Sequence, residues 1–223
     1  MSNSTQNIYE AMSTLRAVRR LRIDPIADAV LQRILQAAAW APSGGNVQPW
    51  RVVVVRDTEK KQAIGELYRP LWQKYGAGHR KLLSKLSGAE LAKQKRMLAA
   101  ADHLGEHMGE APALFVFCFK PTSMAITDIN MDRPSIVGGG SVYPAVQNAM
   151  LACRSEGIGC VLTTLLCAEE TAIKSLLDIP EEWYTCGVMP IGYPVGKGHG
   201  PITRKSVNKL VFADTFGKEI ILT

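Results

Sequence analysis

The run Ala113-Leu-Phe-Val-Phe-Cys-Phe119 carries no polar side chain. Side chains alternate between the two faces of a strand, so a strand that is apolar throughout has to be covered on both. Arg51–Arg56 (RVVVVR) makes the same demand with a continuous β-branched run and reads as a strand buried on both faces. Ile158–Leu165 and Tyr184–Ile191 read as two further strands, the last stopped by Gly192 and Pro194.

The covering layers are legible between these runs. In Ala29–Ala39, Val30, Ile34, Ala37 and Ala38 share a helix face. Asp24 and Asp28 offer starts for this helix, and Pro42, Gly44 and Gly45 follow Trp40 at its end. Asp57 can cap a helix running to about Tyr68. Ser141 is placed to open a helix to about Ser155, with Val142, Ala145, Val146, Ala149 and Cys153 on its apolar face and Gly157 as its C-cap. Ala168–Leu177 reads as a short helix before Pro180. The expectation is an α+β chain whose central sheet is covered on its faces by helices. No repeat or clean linker interrupts it, so 1–223 reads as a single domain. Gly65–Gly109 is lysine-rich and mostly helical, with Trp72, Tyr75 and His79 among Gly76, Gly78 and Gly88. Its weaker pattern reads as a helical excursion or lid at about 60–110. The apolar end (KLVF, then EIILT) needs something to dock on, such as a partner subunit's sheet.

Composition narrows the function. A hydrophobic fraction of 47% and a charged fraction of 21% are those of a globular protein, not of a disordered or fibrous one. MSNSTQNIYE has no basic segment leading into an apolar run, and no apolar stretch is long enough to span a bilayer. A cytoplasmic protein without a membrane partner is expected. The five cysteines form no CxxC pair and read as buried reduced thiols. The net charge of +6 suits small anionic ligands such as phosphorylated cofactors. The basic residues are scattered without aromatic interleaving, so no nucleic-acid partner is expected.

Three stretches hold residue types that carry chemistry. Arg16-Ala17-Val18-Arg19-Arg20 places Arg16 and Arg19 where they could clamp one phosphate, or else form a solvated basic face. Pro42-Ser43-Gly44-Gly45-Asn46-Val47-Gln48-Pro49-Trp50 combines glycines that let a backbone approach a planar ligand with amides and a hydroxyl that match a heterocycle's edge. The same composition also makes an ordinary turn. Thr163-Thr164, at the end of the third strand, offers hydroxyls where layered α/β sheets often bind ligands, although threonine is common in any strand. Elsewhere, His103 and His107 are an i, i+4 pair without an HExxH pattern or a further ligand, so no metal is expected. Gly138-Gly139-Gly140 precedes a helix but lacks P-loop or GxGxxG spacing, and no GxSxG elbow is present.

Taken in order, RAVRRL, APSGGNVQPW, VYPAVQNAMLACRSEGIG followed by VLTT, and MPIGYP followed by ITRK resemble the nitroreductase family of FMN enzymes. The resemblance spans Arg16 to about Lys205, apart from residues near 60–110. It implies a mixed central sheet and an obligate homodimer with extended terminal segments, the flavin lying at the subunit interface. It places Arg16, Ala17 (through its backbone) and Arg19 at the FMN phosphate and ribityl chain, with Arg204 and Lys205 returning to the phosphate. Ser43, Gly44 and Asn46 would reach the flavin from the other subunit, while Gln48 and Trp50 hold the loop in shape. Leu162, Thr163 and Thr164 would line the isoalloxazine, with Thr164 at N5. The implied activity is ping-pong transfer of reducing equivalents from NADH or NADPH, through FMN, to a small acceptor such as a nitroaromatic, quinone or activated alkene. No side-chain catalyst is needed beyond the flavin.

Two departures bear on the acceptor. Ala17 stands where the family usually has serine. Leu162-Thr163-Thr164 replaces a Pro-x-Glu-Gly type and is similar to the threonine run of the iodotyrosine deiodinase branch, although that branch's Glu-Tyr-Lys clamp is not seen in 60–110. Reductive dehalogenation or another one-electron flavin reaction is therefore one alternative, and a non-catalytic flavin-binding or storage protein is another.

Overall fold

The computed structural model describes residues 7–221. Residues 1–6 and 222–223, which include part of the polar amino-terminal stretch and the end of the apolar tail, lie outside the described residues. The elements run α1 (Ile8–Thr14), α2 (Asp28–Ala39), β1 (Trp50–Val55), α3 (Thr58–Leu82), α4 (Gly88–His107), β2 (Ala113–Phe119), α5 (Tyr143–Ser155), β3 (Gly159–Cys160), α6 (Glu170–Leu176) and β4 (Tyr184–Gly192), with short 3-10 turns between.

The four strands form one sheet in the order β1-β2-β4-β3. Their ladders are antiparallel, and a parallel bridge from Ala17 to Cys160 adds the amino-terminal segment beside β3. β2 is the central strand the composition demanded, buried from Ala113 to Cys118. Ala113, Phe115 and Phe117 face one core with α2 and α5, and Leu114, Val116 and Cys118 face a second core with α3, α4 and α6. Each core lies on one face of the sheet, giving helix, sheet and helix layers. Among the described residues, no helix is long and apolar enough to cross a membrane.

Several sequence expectations change. β1 is not buried on both faces: Val52, Val53 and Val54 are half-buried, because the strand pairs β2 on one side only. The third strand is cut to Gly159–Cys160, and downstream only Thr163 rejoins β4, by paired hydrogen bonds with Val188 of 2.9 and 2.8 Å. The helix expected to stop near Tyr68 passes through Pro70 to Leu82; Asp57 caps its start, accepting from the Lys60 N–H at 2.8 Å. The 60–110 segment is more than an excursion, because Ile64, Tyr68, Trp72, Leu98, Leu104 and Met108 build the second core. Neither Asp24 nor Asp28 caps α2, whose N-cap is Ala27, and Asp28 pairs with Arg56 instead. Ser141 does not cap α5, which begins at Tyr143; its hydroxyl accepts from the Gly44 N–H at 3.0 Å. Gly157 does end α5, at φ +71°, a conformation that disfavours any side chain.

Candidate functional site

The amino-terminal basic stretch is an extended arm laid along the end of β3. The Val18 N–H donates to the Cys160 carbonyl at 2.9 Å, which with the Ala17–Cys160 bridge runs Arg16–Arg19 parallel to the segment leading into Thr163. Arg16 therefore lies toward one end of this groove and Arg19 toward the other. Arg16 donates through Nε and Nη2 to the Pro201 carbonyl, at 3.0 and 2.7 Å. That contact joins the arm to the carboxy-terminal stretch three residues before Arg204. His199 fixes the junction. One ring nitrogen lies 2.8 Å from the Ile158 carbonyl and the other, at 3.4 Å, accepts the Arg16 N–H, an arrangement that requires the neutral ring.

Many of the arginines are neutralised locally. Arg22, Arg33, Arg56, Arg69, Arg80 and Arg133 each pair with a carboxylate. Among the described residues, Arg16, Arg19, Arg204 and Lys205 have no such partner: Arg16 and Arg204 meet only carbonyl oxygens, and Arg204 and Lys205 are exposed. Guanidiniums without counterions on this arm form a donor set for a phosphate or another oxyanion.

Arg19 is half-buried at the mouth of a cavity of about 260 Å³ that it shares with Tyr68, Trp72, Tyr75 and the strand residues Leu162, Thr163 and Thr164. Burial pushes the pKa of its guanidinium down, with Tyr68 pushing back, yet an arginine stays charged in such a setting. Burial raises the Tyr68 phenol, while a hydrogen bond with the Thr163 side chain and the charge of Arg19 lower it. Trp72 Nε1 donates to Asp102 Oδ1 at 2.8 Å, and the same carboxylate takes Arg80, so α3 and α4 are tied together over this cavity.

Thr164 is exposed and also lines a larger cavity, of about 600 Å³. Besides Thr164 and Cys167, its walls come from the ends of β2 and β4, the start of α5 and the loop before it. Phe119 closes β2, and a register shift in the β2–β4 ladder leaves Cys186 unpaired, turning it and Thr185 toward the space. Val142 and Tyr143 come from the start of α5. Ser135, Ile136, Gly138 and Gly139 come from the preceding loop. That loop is shaped by Asp128, whose carboxylate accepts from Arg133 Nη1 (2.8 Å), Ser135 Oγ (2.7 Å) and the N–H groups of Ile136 (2.9 Å) and Val137 (3.3 Å). These donors, the Ile136 N–H foremost, hold the Asp128 carboxyl far below the usual carboxylate range. Burial pushes the Cys186 thiol up to about 12 and the Cys118 thiol up to about 11, and also raises Cys167.

The Ser43–Asn46 turn lies elsewhere in the chain. Gly44 and Gly45 border a third cavity with Met124, Val137 and Ser141, and this cavity shares no residue with the two around Thr164. The turn is internally braced. Ser43 Oγ accepts from the Gln48 N–H at 2.9 Å, and Gln48 Nε2 donates to Asn46 Oδ1 at 3.1 Å. Asn46 and Gln48 both adopt positive φ, +55° and +47°. Gln48 thus holds the loop in shape. Trp50 packs against the first core, but its Nε1 is buried without a partner among the described residues. A single chain therefore brings Arg16, Ala17, Arg19 and Leu162–Thr164 along one groove; Arg204 and Lys205 are exposed and follow the Pro201 that Arg16 holds, and Ser43, Gly44 and Asn46 line neither of the two cavities at Thr164. His103 and His107 stack at 4.3 Å between ring centroids, and His107 meets Glu110 at 2.9 Å.

Sequence reading passed over His199, Asp128 and Tyr68. Only Tyr68 left a readable signal, in the helical spacing Tyr68, Trp72, Tyr75. His199 acts through backbone groups 41 and 183 residues away, whereas Asp128 gathers donors only five to nine residues downstream, in a loop that no motif marks.

Residues 14–193 match the profile of the Nitroreductase family. A 5,6-dimethylbenzimidazole synthase of Rhodospirillum rubrum is 31% identical over 80% of this chain and 78% of its own length. An NADH dehydrogenase of Thermus thermophilus is 27% identical over 88% of this chain and 90% of its own. The crystal structure of an oxidized iodotyrosine deiodinase bound to FMN and 3-iodo-L-tyrosine superposes with a TM-score of 0.70 at 22% identity, covering 94% of this chain and all of that one, which shows a shared fold.

Proposed function

The chain belongs to the nitroreductase family, and from that premise we propose that it is an FMN-dependent NAD(P)H oxidoreductase acting on a small acceptor. The observation that carries this reading is the groove in which Arg16 and Arg19, without carboxylate partners, run parallel to the segment ending in Leu162–Thr164. Its donor set fits FMN: cations for a phosphate at one end, and a neutral strand edge with hydroxyls for a planar ring at the other. When bound, FMN would accept a hydride from NADH or NADPH and hand the reducing equivalents to the acceptor in a second half-reaction.

In this reading Arg16, Arg204 and Lys205 hold the phosphate. Ala17 offers its backbone to the ribityl chain. Arg19 is the nearby cation for negative charge developing on the reduced ring. Leu162, Thr163 and Thr164 form the surface on which the ring rests. Ser43, Gly44 and Asn46 lie outside the groove within one chain, so their part is played toward the flavin of a second copy. The homodimer follows from that division. It would also cover exposed apolar residues such as Trp40 (74% exposed) and Phe216 (96%). The α3–α4 hairpin, tied by Trp72, Asp102 and Arg80, walls the Arg19 end of the groove.

The test is spectroscopic. The purified protein, or the protein reconstituted with FMN, is expected to be yellow, dimeric and bleached by NADH or NADPH without oxygen. A colourless protein that takes up no FMN would overturn the reading, whereas one that holds FMN but is bleached by neither nucleotide is a flavin store. A second reading, reductive dehalogenation or another one-electron reaction, is favoured by the exposed Thr164 hydroxyl beside the groove.

A further inference from the structure

Among the described residues of one chain, the 600 Å³ cavity that begins at Thr164 has no carboxylate, ammonium, guanidinium or imidazole in its walls. Its polar groups are the hydroxyls of Ser135, Thr164, Thr185 and Tyr143 and the thiols of Cys167 and Cys186. The thiols stay protonated, since burial raises both. The charges lying behind the walls are already engaged. Glu170 Oε1 accepts from the Thr185 N–H at 2.5 Å and from its hydroxyl at 3.0 Å, and Arg133 is bound to Asp128. The loop wall is set in advance, because the Asp128 carboxylate fixes Ser135, Ile136 and Val137 before any ligand arrives.

We infer that this cavity is the acceptor pocket and that it selects an uncharged aromatic ring, discriminating against carboxylates, ammonium ions and zwitterionic amino acids. The inference rests on the reading that places a flavin ring at Thr164. Phe119, Val142, Tyr143 and Ile136 supply flat and apolar contact, and the hydroxyls supply neutral donors for a nitro, carbonyl or quinone oxygen. A size in the range of roughly 300–1,000 Å³ is that of small-molecule sites. An ionised substituent entering it would shed water and find no counter-charge, which is costly.

The probes are 4-nitrobenzamide, 4-nitrobenzoate and 4-nitrobenzylamine, one ring bearing a neutral, an anionic or a cationic group. Their affinities for the oxidised protein as purified are measured by titration calorimetry, which needs no turnover. The amide is expected to bind at least about tenfold more tightly than either ion, the equivalent of one 1.4 kcal/mol step. Ile136 stands at the mouth, 75% exposed, and tolerates replacement without disturbing a core. Ile136→Arg is expected to tighten the benzoate severalfold, and Ile136→Asp the benzylamine. An ion that binds the unaltered protein within twofold of the amide overturns the inference, as do Ile136 variants that leave the order of the three probes unmoved. The absorbance spectrum separates the two readings. A colourless protein that still prefers the amide refutes the flavin and keeps the neutral pocket. A yellow one that binds all three alike does the reverse.

Discussion

Replacing Gly105 by alanine tests how the α3–α4 hairpin is packed. Within a helix, alanine is preferred to glycine by about 0.8–1.0 kcal/mol, so propensity alone argues for stabilisation. The surroundings argue otherwise. A Cβ at this position would lie 2.4 Å from Trp72 Cδ1 and 3.1 Å from its Cγ. These atoms are at the base of the indole, and the ring is held by its 2.8 Å hydrogen bond to Asp102. Trp72 is only 7% exposed, leaving it little room to retreat. Overpacking of this kind costs roughly 1–3 kcal/mol. Breaking the indole hydrogen bond adds about 1 kcal/mol. The net expectation is a loss on the order of 1–3 kcal/mol after the propensity gain is subtracted. Gly78, on α3, is the control: a Cβ added there would meet nothing within 4 Å. Gly78→Ala should therefore stabilise by up to about 1 kcal/mol. At this chain length, 1 kcal/mol moves the melting temperature by roughly 2–4 °C, so the two variants should shift it in opposite directions. Urea unfolding at one fixed protein concentration, followed by circular dichroism and tryptophan emission, measures both. If Gly105→Ala proves as stable as Gly78→Ala, Trp72 does not pack beneath α4 and does not wall the Arg19 cavity.

Other expectations concern the groove and its clasp. Arg16→Ala should weaken FMN binding by roughly 10- to 150-fold, the range set by one charge-assisted hydrogen bond of about 1.5–3 kcal/mol. Fluorescence titration of the apoprotein with FMN measures this, and an unchanged Kd removes Arg16 from the phosphate end. His199 is held neutral, its pKa pushed down chiefly by burial. The unfolded chain therefore takes up this proton first, near an ordinary pKa of about 6.5, and stability falls as pH drops below that value. His199→Asn should flatten the dependence of melting temperature on pH between about 5 and 7; an equally steep slope in the variant would place the proton uptake elsewhere. Under the one-electron reading, Thr164→Ala should slow reduction of a halogenated phenol on the order of tenfold or more, as loss of a single positioned donor does. Unchanged turnover would eliminate that reading.

The sheet and its covering helices were readable where residue type alone decides. β2 is apolar at every position and could only be central, and of the stripe read on α2 Ile34 and Ala38 are buried in the first core, with Leu31 in place of the half-buried Val30 and Ala37. Errors arose where tertiary context outweighed local preference. The helix read as ending near Tyr68 runs on through Pro70, because Tyr68 and Trp72 on either side of the proline are buried in the second core. Leu162 and Thr163 read as strand, but only Thr163 keeps a sheet partner. The valines of β1 suggested double burial because β-branching reports strand preference and not position within the sheet. At the site, Arg16, Arg19 and Thr164 were recognisable by type and order. The His199 clasp was not, since it joins backbone groups of Arg16 and Ile158 that only folding brings together, and the Asp128 loop was not, since a lone aspartate five to nine residues before its donors matches no motif.

The strand order also governs how the chain reaches this state. Trp50 must find Phe119 across the whole α3–α4 hairpin, and Phe119 must find Tyr184 across the loop, α5 and α6. No two neighbouring strands are joined by a tight turn, so every ladder requires closure of a long loop before a sheet hydrogen bond repays it. Closure entropy grows slowly, by about 0.6 kcal/mol per doubling of loop length, but it has to be met in advance. The α3–α4 hairpin has mostly local contacts and can assemble first, shortening the gap that β1 and β2 must bridge. Variants that weaken the hairpin should therefore slow folding, while those confined to the late-joining Thr163–Val188 bridge should chiefly hasten unfolding.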